Sequence, residues 1–228
     1  MRHLKILILS FFISSPVFGQ GLTITMTATD STGKKSPQVL MAERSQARLD
    51  LPDGARLLYN SETKKLHVMF AGATVYTELT PQLIQILTAS SRRGQPAPNP
   101  IPVTYKRMGS SKVDKWPCSI YEGSRGPEKI VEVCAAEGAA IALAASDFIV
   151  VQQAVNSVKG VVPPDVLDGI PVYGTIAGQG FAGFPVRRIT FVNGKPDSTV
   201  ELVEIRRGAI PAANFAVPTS VPGAAPGK

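Results

Sequence analysis

The chain is poor in the residues that most enzymes use for catalysis and metal binding. It has two cysteines and two histidines in 228 residues, and one histidine lies among the first five residues. No Cys-x-x-Cys pair and no Gly-x-Ser-x-Gly sequence occurs. His67 would therefore have to serve any serine–histidine–acid arrangement alone. We predict no enzyme activity, with no catalytic residue, metal site or cofactor, and a hydrolase that depends on His67 is the weakest alternative.

Long hydrophobic runs are also missing. The first 19 residues contain Arg2 and Lys5, a short apolar run at residues 6–13, and Pro16 before small residues. An apolar run of this length is typical of a secretory signal and is too short to cross a bilayer. A buried N-terminal helix or strand is the alternative. We predict that residues 1–19 are a cleaved signal peptide and that the mature, soluble protein enters the periplasm without a transmembrane segment.

The positive charge of the chain is modest and dispersed. The formal net charge of +7 becomes +5 when Arg2 and Lys5 are removed with the signal. Nucleic-acid-binding proteins more often concentrate basic residues on one helix or place aromatic residues among them. The basic residues here occur as scattered doublets, at residues 34–35, 64–65, 92–93, 187–188 and 206–207. We predict no nucleic-acid partner, and weak attraction to anionic lipid headgroups or other envelope polymers stays an alternative.

The two cysteines stand at the spacing of one β-hairpin. Strand-like runs begin at Cys118 and end at Cys134, and turn-forming residues 123–127 lie between them. In an exported protein such a pair most often forms a disulfide. A register with Cys118 directly opposite Cys134 places Tyr121 opposite Val131 and gives the Cα approach that a disulfide needs. We predict a structural disulfide worth about 3 kcal/mol.

Short strand patterns dominate the rest of the chain, which we assign to one domain over residues 20–217. Residues 22–28 alternate apolar side chains with threonine, as a half-buried strand does. Further strand patterns occur at residues 39–41, 47–51, 55–60, 66–70, 74–79, 118–122, 129–134, 170–177, 184–193 and 199–207. Turn-forming residues occupy 193–197. Residues 218–228 are rich in proline, glycine and alanine, and we predict a disordered tail.

Two helices interrupt these strands. Thr80 is a good N-cap and Pro81 suits the first helical position, so one helix begins there. The second helix begins at Ser146. Its apolar face is predicted to contain Phe148, Val151, Val155 and Val158. With about ten strands, the sequence predicts a mainly β (α+β) fold: a single curved antiparallel sheet, or open half-barrel, with both helices on its concave side.

Residues 178–183 spell Gly-x-Gly-x-x-Gly. In a dinucleotide-binding fold these glycines join a strand to a helix whose N-terminus holds the pyrophosphate. Here a strand pattern follows instead, which disfavours a dinucleotide. We interpret the segment as a flexible connection between strands and suggest that it forms the mobile rim of a cavity.

The cysteine hairpin carries a family resemblance. Cys118 and Tyr121 spell Cys-x-x-Tyr, and residues 133–136 spell Val-Cys-x-Ala. This pair of motifs resembles an exported bacterial family known only as a domain of unknown function, whose members close with Phe-x-x-Pro, here residues 215–218. The wider architecture is similar to the LolA-like periplasmic lipoprotein-carrier fold. That resemblance implies an open half-barrel with a hydrophobic concave cavity, and no functional residue of the carrier family is matched here.

Export, an antiparallel meander and amphipathic helices favour a periplasmic protein that shelters an apolar ligand, such as a lipid or its acyl chain, on the concave face of its sheet. Leu66, Val68 and Phe70 share one strand face and are the candidate lining residues. The alternative is an envelope protein-interaction or scaffold module with a filled core and no ligand cavity.

Overall fold

The computed structural model describes residues 21–91, 102–158, 170, 172, 174 and 180–217. Within these ranges eleven strands form one open antiparallel sheet. They are β1 (Gly21–Thr29), β2 (Lys35–Glu43), β3 (Gln46–Asp50), β4 (Arg56–Asn60), β5 (Lys65–Met69), β6 (Thr77–Glu78), β7 (Thr104–Val113), β8 (Trp116–Arg125), β9 (Glu128–Ala136), β10 (Phe184–Val192) and β11 (Lys195–Gly208). The predicted mainly β fold with one open sheet is confirmed.

The described helices are few and short. They are α1 (Pro81–Ser91), α2 (Gly138–Ile141) and α3 (Ile149–Ser157), with 3-10 turns at Ala145–Phe148 and Ala212–Phe215. No helix in the described part of the chain has the length and hydrophobicity needed to cross a membrane. The Leu83 amide donates a hydrogen bond to the Thr80 hydroxyl oxygen at 3.2 Å, so the predicted N-cap of α1 is confirmed.

The two ends of the domain meet in the middle of the sheet. The strand order is β6-β5-β4-β3-β2-β1-β11-β10-β9-β8-β7, so two meanders are joined by pairing between β1 and β11. Ile24 lies opposite Ile205, and Met26 lies opposite Leu202. The pairing of β1 with β11 therefore makes one sheet out of two sequence-local halves.

The predicted five-residue loop at 193–197 is shorter in the structure. Val192 already pairs with Lys195, which leaves Asn193 and Gly194 as the turn. Both turn residues have positive φ, 52° and 73°, as the two-residue turns that match strand twist require. Strand β11 consequently begins four residues before the predicted start at residue 199.

The predicted register of the cysteine hairpin is wrong by two residues. Cys134 lies opposite Ile120, and Tyr121 lies opposite Val133 rather than Val131. A shift of two residues leaves every side chain on its predicted face, because side chains alternate with a period of two. Cys118 and Cys134 are thus diagonal neighbours, with their Cα atoms 5.4 Å apart, and they form a disulfide.

The turn of this hairpin explains the different register. Arg125 pairs with Glu128, so only Gly126 and Pro127 make the turn, and Gly126 has a φ of 62°. A bulge beside Gly123 takes up one further residue. The sequence prediction spreads the turn over five residues, and the chain uses two.

The main core lies between the sheet and the segment that contains α3. Ile24, Leu40 and Phe184 are fully buried there. The Phe148 ring stacks on the Phe184 ring with 5.5 Å between their centroids. The apolar face predicted for the second helix is buried at all of its positions, Phe148, Val151, Val155 and Val158. The predicted start at Ser146 lies in the 3-10 turn that precedes α3.

Strand β7 does not follow from the alternation pattern. Its residues are mostly polar, and eight of its ten side chains are exposed, so no apolar face marks it as a strand. The predicted strand at residues 170–177 falls largely outside the described residues, as do the predicted signal at 1–19 and the predicted tail at 218–228. Those three assignments stay predictions.

Candidate ligand-binding site

An apolar pocket lies between α3 and strands β2 to β5. Its empty volume is about 350 Å³, which includes space open to solvent, and little of that space is wide enough for a water molecule. It is lined by Leu40, Ala47, Arg48, Leu49, Leu57, Tyr59, Leu66, Val151, Ala154, Val155, Val158 and Ile170. In this form the pocket is a narrow apolar cleft beneath a helix.

The floor of the pocket is built from two rows of side chains that cross β2 to β5. Directly paired residues lie on the same face of a sheet, so register decides which side chains are neighbours. The first row is Leu40, Leu49, Leu57 and Val68, and the second is Ala42, Ala47, Tyr59 and Leu66. Six of these eight residues line the pocket, and Ala42 and Val68 do not. Ala47 has the smallest side chain among the lining residues of the floor, which leaves room beside it.

The helix α3 forms the roof. Val151, Ala154 and Val155 point into the pocket, while Gln152 and Gln153 are exposed to solvent. Spacings of three and four residues place the inward side chains on one helical face. The roof is therefore as apolar as the floor.

A salt bridge fixes the N-terminal end of this helical segment to the sheet. The Asp147 carboxylate lies 2.6 Å from the Arg207 guanidinium on β11. Arg207 Nη2 also donates to the Ala142 carbonyl oxygen at 2.8 Å, and Asp147 accepts from the Ala144 amide at 2.7 Å. The 3-10 turn and the chain just before it are thus tied to one arginine.

Arg48 borders the pocket, but its charge is directed elsewhere. Its guanidinium donates to Asp50 at 2.6 Å and to the Asn214 carbonyl oxygen at 3.1 Å. Asp50 also accepts from Arg56 Nε at 2.7 Å. Burial opposes the charged form of Arg56, but hydrogen bonds to Tyr76 and Asp50 outweigh it and raise its pKa. Arg48 is the one charged residue among the described lining residues, and this network directs its charge away from the pocket.

His67 lies on the opposite face of the sheet from this pocket. It lines a second depression, of about 450 Å³ including space open to solvent, with Lys65, Asn60 and Phe215. The His67 Nε2 atom is 3.6 Å from Glu78 Oε2, and Lys65 Nζ is 3.0 Å from the same oxygen. Within the described ranges, no group of three His, Cys, Asp or Glu side chains is placed to hold a metal.

The sequence comparisons identify a family. The profile described as "Domain of unknown function (DUF4412)" matches residues 23–221. The chain belongs to this family. A comparison with curated protein sequences found no match.

Several solved structures are weakly similar to this DUF4412 chain. An uncharacterized conserved protein from Thermus thermophilus is 8% identical with a TM-score of 0.48, covering 89% of this chain and 88% of that one. A chain of the Pseudomonas aeruginosa MucA/MucB complex is 10% identical with a TM-score of 0.36, and the match covers 84% of this chain and 53% of that one. A LolA superfamily protein from Nitrosomonas europaea is 7% identical with a TM-score of 0.29, and the match covers 89% of this chain and 91% of that one. All three TM-scores are below 0.5.

The structure brings together two of the three side chains predicted to line a ligand site. Leu66 lies in the pocket, and Val68 is buried beside it in a cluster with Leu79 and Val158. Phe70 follows the last residue of β5, is 54% exposed and is not part of the pocket lining. The predicted apolar face of α3 explains why this helix lines the pocket. The sequence did not predict which strands the helix would cover.

The glycine-rich segment seats a buried aromatic residue that the sequence analysis missed. Phe181 is 4% exposed and packs on Tyr105 and Tyr121, with ring centroids 5.3 Å and 6.0 Å away. We call this group, together with Val131, Val133 and Ala135, the Phe181 cluster. Of the predicted mobile rim, residues 178 and 179 lie outside the described ranges. Gly180 and Ala182 are exposed, whereas Phe181 is buried and Gly183 lies against Ala136 of β9.

Gly183 shows why this segment needs glycine. Its φ is 103°, and a Cβ atom there would collide with the Ala136 carbonyl oxygen. It leads directly into β10, a strand, and not into a helix that could bind a pyrophosphate. Glycine at residue 183 therefore allows the chain to pass close to β9, and this path places Phe181 in its cluster.

Proposed function

We propose that this protein is an exported binding protein that holds an apolar ligand, such as the acyl chain of a lipid, between α3 and strands β2 to β5. The observation that carries the proposal is the aliphatic pocket beneath α3. Each methylene group that moves from water into such a site contributes about 0.8 kcal/mol. An unbranched chain can follow a narrow cleft, so it suits this shape better than a bulky ring system.

Ligand entry in this proposal requires α3 to move away from the sheet, because the cleft is narrow in the structure described here. The helix has nine residues, and isolated helices of this length are unstable in water. Valines at 150, 151 and 155 lower its intrinsic helix propensity further. Its position depends on packing against the floor, and an apolar ligand could replace that packing.

The pocket chemistry also restricts the ligand. Arg48 is held by Asp50 and Asn214, so among the described lining residues no charged side chain is directed at a headgroup inside the cleft. We therefore propose that a lipid would place its chain under α3 and leave its headgroup at the solvent opening.

The proposal includes export to the periplasm. The Cys118–Cys134 disulfide supports it, because such bonds persist in oxidising compartments. The charged and apolar pattern of residues 1–19 supports the same location. Determining the N-terminal residue of the protein purified from periplasm tests this part separately.

The binding proposal is tested by titrating the mature protein with a fluorescent fatty acid and by native mass spectrometry of the purified protein. Ala154→Trp fills the pocket from its roof and should weaken probe binding about tenfold or more. Gln153→Trp adds the same ring on the exposed side of α3 and should bind as the parent protein does. Absence of probe uptake and of co-purified lipid in the parent protein would overturn the proposal.

An envelope protein-interaction module is the second candidate. One observation favours it: the sheet leaves a long strand, β7, exposed at its edge. A filled core with no ligand uptake, together with binding of a protein segment at that edge, would favour this candidate over the first.

A further inference from the structure

The two edges of the sheet are protected to different degrees. At one edge, β6 has only two residues and leads almost directly into α1. At the other edge, β7 runs for ten residues and pairs with β8 on one side only among the described strands. A long edge strand presents backbone N–H and C=O groups that another extended chain can pair with.

Most of β7 is also open to solvent on both faces; the exceptions are Tyr105, which is half-buried against Phe181, and Val113. Every side chain from Lys106 to Lys112 is exposed, and Met108 is 53% exposed. Only at the end of the strand does Val113 enter the core. Residues 106–112 of this edge are therefore accessible to an added strand.

The charge of β7 selects among possible occupants. Lys106, Arg107 and Lys112 are basic, and no residue from Thr104 to Val113 is acidic. A second copy of the chain would bring cations to face cations, which disfavours self-pairing. The predicted tail at residues 218–228 has no acidic residue and three prolines, so it offers neither complementary charge nor a continuous row of donors.

A bulge limits how a partner strand can pair. The register between β7 and β8 shifts between Arg107 and Gly109, which leaves Met108 as the extra residue. Bulges and lysines are common protections of sheet edges against unspecific pairing. The bulge and the lysines of β7 still allow a short acidic strand to pair with residues 104–107 or with residues 109–113. They disfavour pairing with a long neutral or basic strand.

We propose that β7 is the docking edge for an extended acidic segment of a partner protein, which adds to the sheet as a further antiparallel or parallel strand. Backbone hydrogen bonds supply affinity in this mode of recognition, and side chains on alternate positions supply specificity. Carboxylates of the partner would meet Lys106, Arg107 and Lys112, so binding should weaken as salt is added.

The test uses a labelled synthetic peptide of about ten residues that alternates Glu with Val and Thr. Two control peptides replace Glu with Gln, or replace alternate Val and Thr residues with Pro. We expect the acidic peptide to bind and to slow amide hydrogen exchange within residues 104–113. The Gln peptide should bind about tenfold more weakly. The Pro peptide should not slow exchange, because proline cannot donate to the ladder.

Charge-reversal variants complete the test. Lys106→Glu combined with Lys112→Glu should weaken peptide binding about tenfold or more. The matched control, Lys64→Glu combined with Lys195→Glu, makes the same charge change at two exposed residues outside β7, one in a turn and one at the start of β11, and should bind nearly as well as the parent. Exchange that slows elsewhere, a Pro peptide that binds equally, or equal losses in both variants would overturn the proposal.

The two proposals fail independently. Uptake of the fatty-acid probe depends on the pocket beneath α3, and we expect it to be unchanged in the Lys106→Glu/Lys112→Glu variant. Trp116, the single tryptophan of the chain, lies directly opposite Val113 at the end of β7. Its fluorescence gives a second readout of peptide docking and also shows whether the variant is folded.

Discussion

Phe181 is the side chain whose burial stabilises the glycine-rich segment. Its ring packs on Tyr105 of β7 and Tyr121 of β8, on the face of the sheet opposite the disulfide. Phe181→Ala should lower the free energy of unfolding by about 3–4 kcal/mol, measured by urea denaturation, because it leaves a cavity in a packed cluster. The matched control is Phe70→Ala. Phe70 is 54% exposed, so its loss should change stability by less than about 0.5 kcal/mol. Equal effects of the two substitutions would contradict this assignment.

The disulfide is the second feature at the residue scale. It links Cys118 to Cys134 across 16 residues of sequence, and both cysteines lie in the main core. Replacing both cysteines with alanine should reduce stability by about 3 kcal/mol, because the unfolded chain gains conformational freedom. The parent should show the same loss on addition of reductant, and the double variant should be insensitive to reductant. If the urea midpoint of the parent protein does not change on reduction, the disulfide does not stabilise the fold.

Individual residue types account for much of what the sequence predicted. Cysteine spacing identified the bonded pair, and Thr80 identified the start of α1. Neither depends on distant parts of the chain, because a cap and a hairpin are local structures. Phe181 could not be assigned in the same way, since the tyrosines that receive it lie on β7 and β8.

At the element scale, the anchor of the α3 segment is the Asp147–Arg207 salt bridge. Its side chains are 18% and 34% exposed, so the pair is only partly screened by water. A double-mutant cycle with Asp147→Ala and Arg207→Ala should give a coupling of about 1 kcal/mol. The comparison is the Lys65–Glu78 pair, which is 54% and 38% exposed and should couple by about 0.3 kcal/mol or less. Equal couplings would show that the anchor is no stronger than an ordinary surface pair.

The sequence predicted the strands that bury one face. It did not predict a strand whose faces are mostly exposed. Residues 22–28 alternate clearly and became β1, whereas β7 has no buried face and could not be found. The hairpin register was missed because a shift of two residues preserves the hydrophobic pattern. Turn geometry decided between registers, through the positive φ of Gly126.

At the scale of the whole molecule, pairing of β1 with β11 should make unfolding cooperative. The two meanders are each local in sequence, and this central pairing joins them. Urea unfolding followed by Trp116 fluorescence, which reports on the β7–β11 half, should coincide with unfolding followed by far-ultraviolet circular dichroism. Two separate transitions would show that the halves unfold independently.

The sequence by itself determined the mainly β class, the bonded cysteines, the first helix cap and the apolar face of the helix that covers the sheet. These follow from local periodicity, spacing and capping, which act over a few residues. Only the tertiary structure decided the strand order, the position of the pocket and the burial of Phe181. Each of these joins segments far apart in sequence: β1 with β11, α3 with β2 to β5, and residue 181 with Tyr105. Register and packing across such distances depend on which surfaces meet, and no local pattern encodes that choice.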